Sequence, residues 1–301
     1  MGLNLALELA KDNYVIGHVH SQHLVSNSFT VIQGDLLAAG EVQRLLDETK
    51  PDWIIHCAAL ANVDACESDP LQAQQLNTEI PQKLAHYVAR GGARLLHVST
   101  DAVFDGEHGG YSEDDKPNPL SIYARTKLQG EQGVARENPD AIIARVNLFG
   151  WSLSGNRSLA EFFFNNLRAG TPVMGFTDVY FCPVLANHLA GLFCRMLEAE
   201  LSGIYHVVGS DCISKYHFGR DIARQFGFDE SLIDPNSVAN AGLPAARSPN
   251  LTLSNEKLIH DIGSFPPNLS TGIRRFYTLY QQGYPQKIRK LVSEAYNDQV
   301  S

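Results

Sequence analysis

The chain is poor in positive charge, in cysteine and in long apolar runs. Its 301 residues carry 24 Lys and Arg against 33 Asp and Glu, a formal net charge of -9. Nucleic acids and anionic membrane surfaces recruit clustered Lys and Arg. No such cluster occurs here, so the expected partner is a small metabolite, with neither nucleic acid nor membrane. No apolar stretch approaches the roughly 20 residues needed to span a bilayer. No basic segment followed by an apolar core and a cleavage site opens the chain, and the expected location is the cytoplasm. The five cysteines, Cys57, Cys66, Cys182, Cys194 and Cys212, include no CxxC pair. That spacing fits reduced thiols and argues against disulfides or a zinc site. His56, His97 and His206 read as interior histidines, and no His/Asp/Glu cluster has metal-site spacing, so no metal is expected.

What is present is a 44% hydrophobic chain, long enough for a substantial core. Its first half alternates helix-like and strand-like segments, which predicts an α/β fold with a doubly wound, Rossmann-like parallel sheet. Helices are expected over 3–11, 42–48 and 121–137, and strands over 14–19, 30–33, 53–55, 95–98 and 141–146. Asp69-Pro70 opens a long helix as an N-cap followed by a first-turn proline, and Gly91-Gly92 closes it. Pro81 bends that helix or marks its restart.

After Gly150 the elements shorten, so residues 1–150 read as a dinucleotide-binding domain and 151–301 as a smaller substrate lobe. Residues 186–208 are expected to pack back on the main sheet as a helix and a strand. Ser214 and Ser254 are expected to cap two further helices. Phe162-Phe163-Phe164, Tyr277 and Tyr280 read as core or lobe interface. A dinucleotide fold begins with a strand and a glycine-rich turn before its first helix. Here Met1-Gly2-Leu3-Asn4 reads as the tail of such a turn, with Gly2 in the place of its last glycine. The first strand and the earlier glycines are missing from the sequence.

The chemistry is concentrated in two segments. Ser99-Thr100-Asp101-Ala102-Val103-Phe104-Asp105-Gly106 stands at the end of a predicted strand, where doubly wound folds bind ligands. Tyr123-Ala124-Arg125-Thr126-Lys127 stands on a predicted helix, with Tyr123 and Lys127 four apart on one face. A ketone that takes a hydride needs a proton on its oxygen, and a positioned phenol supplies one. Free tyrosine has a pKa of about 10, and a neighbouring ammonium lowers it by favouring phenolate. Lys127 thus tunes Tyr123 and reaches a nicotinamide ribose, while Thr100 donates to the carbonyl oxygen. The bland alternative is that Thr100 satisfies a loop and Tyr123 packs over its helix.

These motifs, with Gly34-Asp35-Leu36, His56-Cys57-Ala58-Ala59-Leu60, Val63-Asp64-Ala65-Cys66-Glu67, Asn77 and Arg247-Ser248-Pro249-Asn250, resemble the dTDP-4-dehydrorhamnose reductase family of extended short-chain dehydrogenases. The resemblance implies NADPH-dependent reduction, with NADH possible, of the C4 keto group of a dTDP-linked 6-deoxyhexulose. It implies that Thr100, Tyr123 and Lys127 are catalytic. It places Gly2, Asp35, Leu36, Ala58, Ala59, Leu60 and Asn77, together with Tyr123 and Lys127, beside the cofactor. It places Asp101, Val103 and Arg247 at the sugar, and it allows a homodimer. After the second strand, His18-Val19-His20-Ser21-Gln22 offers no acidic residue for a ribose 2′-hydroxyl, which leans toward NADPH. A dehydratase of the same superfamily carries Asp then Glu where this chain has Asp101-Ala102, which disfavours dehydration. An epimerase, or a noncatalytic binding subunit like that of methionine adenosyltransferase, remains an alternative.

Overall fold

The computed structural model describes residues 1–240 and 248–292. In chain order the first half runs α1 (Gly2–Leu9), β1 (Ile16–Val19), β2 (Thr30–Gln33), α2 (Glu41–Thr49), β3 (Trp53–His56), α3 (Val63–Ser68), α4 (Pro70–Gln74), α5 (Ile80–Gly91), β4 (Arg94–Thr100), α6 (Ile122–Glu137) and β5 (Ile142–Val146). The second half runs β6 (Leu148–Phe149), α7 (Leu159–Arg168), β7 (Val173–Phe176), β8 (Tyr180–Phe181), β9 (Val184–Leu185), α8 (Ala186–Glu198), β10 (Gly203–His206), β11 (Ile213–Ser214), α9 (Lys215–Phe226), β12 (Ile233–Asn236), β13 (Asn250–Leu251), α10 (Glu256–Ile262), α11 (Leu269–Gln281) and α12 (Tyr284–Arg289).

The main sheet is parallel, in the order β10-β5-β4-β3. Alternation along its strands divides the apolar side chains between two faces. Leu96, Ile142 and Ala144 pack with Leu5 of α1 and with Leu189, Phe193 and Met196 of α8. Leu95 and Ile143 pack on the other face with Val42 of α2, Leu84 and Val88 of α5 and Val134 of α6. Helices on both faces of a parallel sheet make the fold doubly wound, as the alternating pattern predicts. The second half adds an aromatic core in which Phe149, Trp151, Phe163, Phe164, Phe218 and Phe276 are buried, whereas Phe162 is exposed. Ser214 caps α9 through the His217 amide. The cap residue of α10 is Asn255, one place after the serine expected there.

β1 and β2 pair with each other and not with β3, so the sheet is split. A cavity of about 740 Å³ separates the two parts, lined by Gly2, Leu5, Ile16, His18, Ile54 and His56 among others.

The expectation of five reduced thiols is corrected by a disulfide between Cys182 and Cys212, with Cα atoms 4.0 Å apart. The cause is strand register. β11 pairs antiparallel with β8, Ile213 opposite Phe181, and one step further along the ladder sets Cys212 opposite Cys182. Cys57, Cys66 and Cys194 are free thiols. No helix among the described residues is long and apolar enough to cross a membrane.

Pro81 acts as a restart. Asp69 caps α4 through the Gln72 amide, a π-helical turn over Gln75–Glu79 follows, and α5 begins with Pro81 in its first turn. This turn presses against α6 at Gly130, where an added Cβ would lie 2.2 Å from the Asn77 carbonyl oxygen. A glycine in mid-helix ordinarily costs about 1 kcal/mol relative to alanine. Here it permits a main-chain contact that no side chain allows. Gly130→Ala is therefore expected to destabilise the protein by about 1–3 kcal/mol through overpacking, measured by denaturant unfolding, with an unchanged slope.

Candidate active site

β4 ends at Thr100, and the chain turns at once into a short 3₁₀ segment, Asp101–Val103. The turn is fixed locally. Thr100 Oγ1 accepts from the Ala102 amide at 3.2 Å and donates to Asp101 Oδ1 at 3.1 Å. α6 starts opposite, capped by Ser121 through the Ala124 amide, and presents Tyr123 in its first turn and Lys127 one turn on. The phenol of Tyr123 faces the Thr100 hydroxyl. Burial pushes that phenol up to about 12, while the Thr100 hydrogen bond pulls in the opposite direction. The structure thus brings Thr100 and Tyr123 together at the carboxyl end of a central parallel strand.

Lys127 is buried, and burial pushes its amine down to about 8, against the opposing fields of Glu131 and Cys57. Its Nζ donates to the Val98 carbonyl at 2.7 Å and sits 3.2 Å from His97 Nε2. Among the described residues no hydrogen bond joins Lys127 to Tyr123. The ammonium is held against β4, one turn below the phenol that the four-residue spacing predicts it to tune.

Asp101 is buried and accepts from the Asn147 side chain, and burial raises its carboxyl above the ordinary range. Val103, expected at the sugar, is instead fully buried against Phe104, Tyr111, Cys182, Val208 and Leu253. The 3₁₀ turn rotates it inward, so its side chain serves the core. Ser248 Oγ donates to the Phe104 carbonyl at 3.3 Å, and the Asn250 amide to the Gly106 carbonyl at 3.1 Å. The strand-end motif and the Ser248-Pro249-Asn250 segment are therefore neighbours. Arg247 lies outside the described residues.

On the cofactor side, Gly2 opens α1, and a Cβ there would meet Cys57 Cβ at 3.6 Å. Ala58 is exposed at the end of β3, and Ala59 and Leu60 are part-buried. Asn77, expected to line the cleft, is fully buried. Its Oδ1 accepts from the Leu60 amide at 2.8 Å, and its Nδ2 donates to the Leu60 carbonyl and to Thr126 Oγ1, each at 3.1 Å. It staples the segment after β3 to α6. Asp35 follows β2 and binds the Leu37 amide at 2.9 Å, beside a half-buried Leu36.

Two buried arrays escaped sequence reasoning. His97 Nδ1 lies 3.0 Å from His56 Nδ1, which links Lys127 to the floor of the cleft through two imidazoles. Arg145 forms a buried ion pair with Glu131 at 2.8 Å, and Ser99 Oγ donates to the same carboxylate. A polar residue in each apolar strand, His97 in Leu95-Leu96-His97-Val98 and Arg145 in Ile142-Ile143-Ala144-Arg145-Val146, was the available signal.

The chain matches the family described as the RmlD substrate binding domain over residues 1–282. It is 35% identical over 260 residues to the probable low-salt glycan biosynthesis reductase Agl14 of Haloferax volcanii, covering 85% of this chain and 86% of that protein. It is 34% identical over 249 residues to methionine adenosyltransferase 2 subunit beta of Xenopus tropicalis, covering 80% of this chain and 74% of that one. The crystal structure of a dTDP-4-dehydrorhamnose reductase from Clostridium acetobutylicum superposes with a TM-score of 0.78 at 25% identity, covering 89% of this chain and all 100% of that chain.

Proposed function

Because the chain belongs to the RmlD substrate binding domain family, the dTDP-4-dehydrorhamnose reductases of the extended short-chain dehydrogenase type, we propose that it reduces the C4 keto group of a dTDP-linked 6-deoxyhexulose with NADPH, NADH being the alternative donor. The observation that carries this reading is Thr100 at the end of β4 facing the Tyr123 phenol, with Lys127 buried one turn on.

NADPH supplies the hydride when bound, and Gly2, Asp35, Leu36, Ala58, Ala59 and Leu60 would hold it, with Asn77 fixing the last of these. Tyr123 donates its proton to the carbonyl oxygen as charge develops there. Thr100, whose single hydroxyl proton rests on Asp101 Oδ1 in the free protein, turns it to the same oxygen and fixes that oxygen's direction. Lys127 supplies a fixed positive charge behind the phenol. The phenol's high pKa keeps it protonated through the neutral range, which suits an acid in the reductive direction. Asp101 and Arg247 act at the sugar side.

Purified protein is expected to consume NADPH, followed by loss of dihydronicotinamide absorbance, only when a dTDP-4-keto-6-deoxyhexulose is added, with one NADPH oxidised per sugar reduced. A second reading is a binding subunit, favoured by the 34% identity to methionine adenosyltransferase 2 subunit beta. Under that reading the protein binds NADPH and leaves it unoxidised in the same assay.

A further inference from the structure

Lys127 is held by an unusual partner. Its Nζ lies 3.2 Å from His97 Nε2, and His97 Nδ1 lies 3.0 Å from His56 Nδ1. All three side chains are more than nine-tenths buried. Among the described residues His56 Nε2 has no hydrogen-bond partner, and His56 belongs to the lining of the cavity between β1 and β3. The placement follows from the sheet, since His56 and His97 are register partners on β3 and β4. Their rings stack with centroids 5.2 Å apart.

Hydrogen-bond chemistry orders the protons in this row. An ammonium has only donors, so His97 Nε2 must accept from Lys127. A neutral imidazole has one donor and one acceptor, so His97 Nδ1 carries the proton and donates to His56 Nδ1. His56 Nδ1 is then the acceptor, and its proton lies on Nε2, toward the cavity. Both imidazoles are kept neutral, His56 and His97 being depressed by burial and by the Lys127 charge. The other titratable groups facing the row are Glu131 from α6, Cys57 after β3 and His18 from β1.

We propose that His97 is a positioning residue for Lys127, and that His56 fixes the His97 tautomer that makes this possible. The arrangement holds the ammonium at β4, at a set distance behind the phenol, and stabilises its charged form. A carboxylate in the place of His97 would pull the amine's pKa upward, whereas a neutral imidazole accepts the hydrogen bond without adding charge. The inference rests on the reductase reading for its kinetic consequence and not for its structural one.

The test joins ¹⁵N NMR of the histidines in the full chain with kinetics of His97→Leu, His97→Gln and His56→Leu. The expected spectrum shows His97 protonated on Nδ1 and bare on Nε2, with the Nε2 resonance moved by Lys127→Met. His56→Leu converts His97 to a mixture of tautomers. In turnover, His97→Leu lowers kcat about tenfold with KM for the sugar nucleotide unchanged. It also shifts the basic limb of the pH profile to lower pH, because the charged form of Lys127 loses an acceptor. His97→Gln, whose amide oxygen accepts, restores most of both. A His97 protonated on Nε2, a resonance indifferent to Lys127→Met, or a His97→Leu enzyme with the native pH profile overturns the proposal. The expected spectrum in a protein without turnover upholds the positioning row and rejects the reductase reading.

Discussion

Tyr123→Phe is expected to lower the rate of keto-sugar reduction by about 10²–10⁴-fold, the usual worth of a positioned general acid. The substitution removes one oxygen from a part-buried ring that, among the described residues, has no backbone partner to lose, so the fold and NADPH binding are expected to remain. KM for the sugar changes little, because the proton matters only as negative charge develops on the carbonyl oxygen. Steady-state kinetics with a circular dichroism control checks both halves. The pH profile of the native enzyme carries a second signature. Reduction is sustained below the Lys127 value, pushed down to about 8 by burial, and declines as pH rises through it, when the ammonium behind the phenol loses its charge. Tyr123, pushed up to about 12, stays protonated across that range and contributes no limb of its own. A profile flat through pH 8 would sever Lys127 from the reaction.

Arg145→Met is expected to have the largest effect on stability. Arg145 is the register partner of Ser99 on β4 and of His206 on β10, so it stands in the middle of the main sheet. Its guanidinium meets both carboxylate oxygens of Glu131, and its Cζ lies 5.1 Å from the centroid of the Phe104 ring. Both partners of the pair are buried. Removing one leaves the other as an uncompensated buried charge, a loss of about 3–5 kcal/mol. The double replacement Arg145→Met with Glu131→Leu recovers most of that loss, because the residual charge goes with the pair. Denaturant unfolding of the two singles and the double closes the cycle, and a double as unstable as the sum of the singles would reject this account. The pair also anchors α6 to the sheet one turn beyond Lys127, so the singles lose activity before they lose the fold.

Much of this architecture was legible because it is periodic or capped. The two-face alternation in Leu95-Leu96 and Ile142-Ile143 declares a buried parallel strand. Asp69-Pro70 declares a helix start, and Pro81 a restart. The family motifs placed Thr100 opposite Tyr123 without any knowledge of the sheet. What stayed hidden depends on partners distant in sequence. Cys182 and Cys212 look like unrelated thiols until an antiparallel register sets them side by side. Asn77 carries the features of a cleft residue, and only the π-turn shows that its amide is spent on Leu60. Val103 follows the strand-end Ser99-Thr100-Asp101 motif, yet a 3₁₀ turn points it into the core. His97 reads as a satisfied interior histidine, and its partner on one side is Lys127 of α6.

The split in the sheet gives the cleft two walls of unequal firmness. The wall bearing Thr100 and Tyr123 belongs to a four-stranded block with helices on both faces, whereas Asp35 and Leu36 follow a two-stranded ribbon that, among the described residues, has no ladder to the rest. Local opening begins where few backbone hydrogen bonds tie an element to its neighbours. The ribbon is thus expected to exchange its amide hydrogens earlier than the four-stranded block.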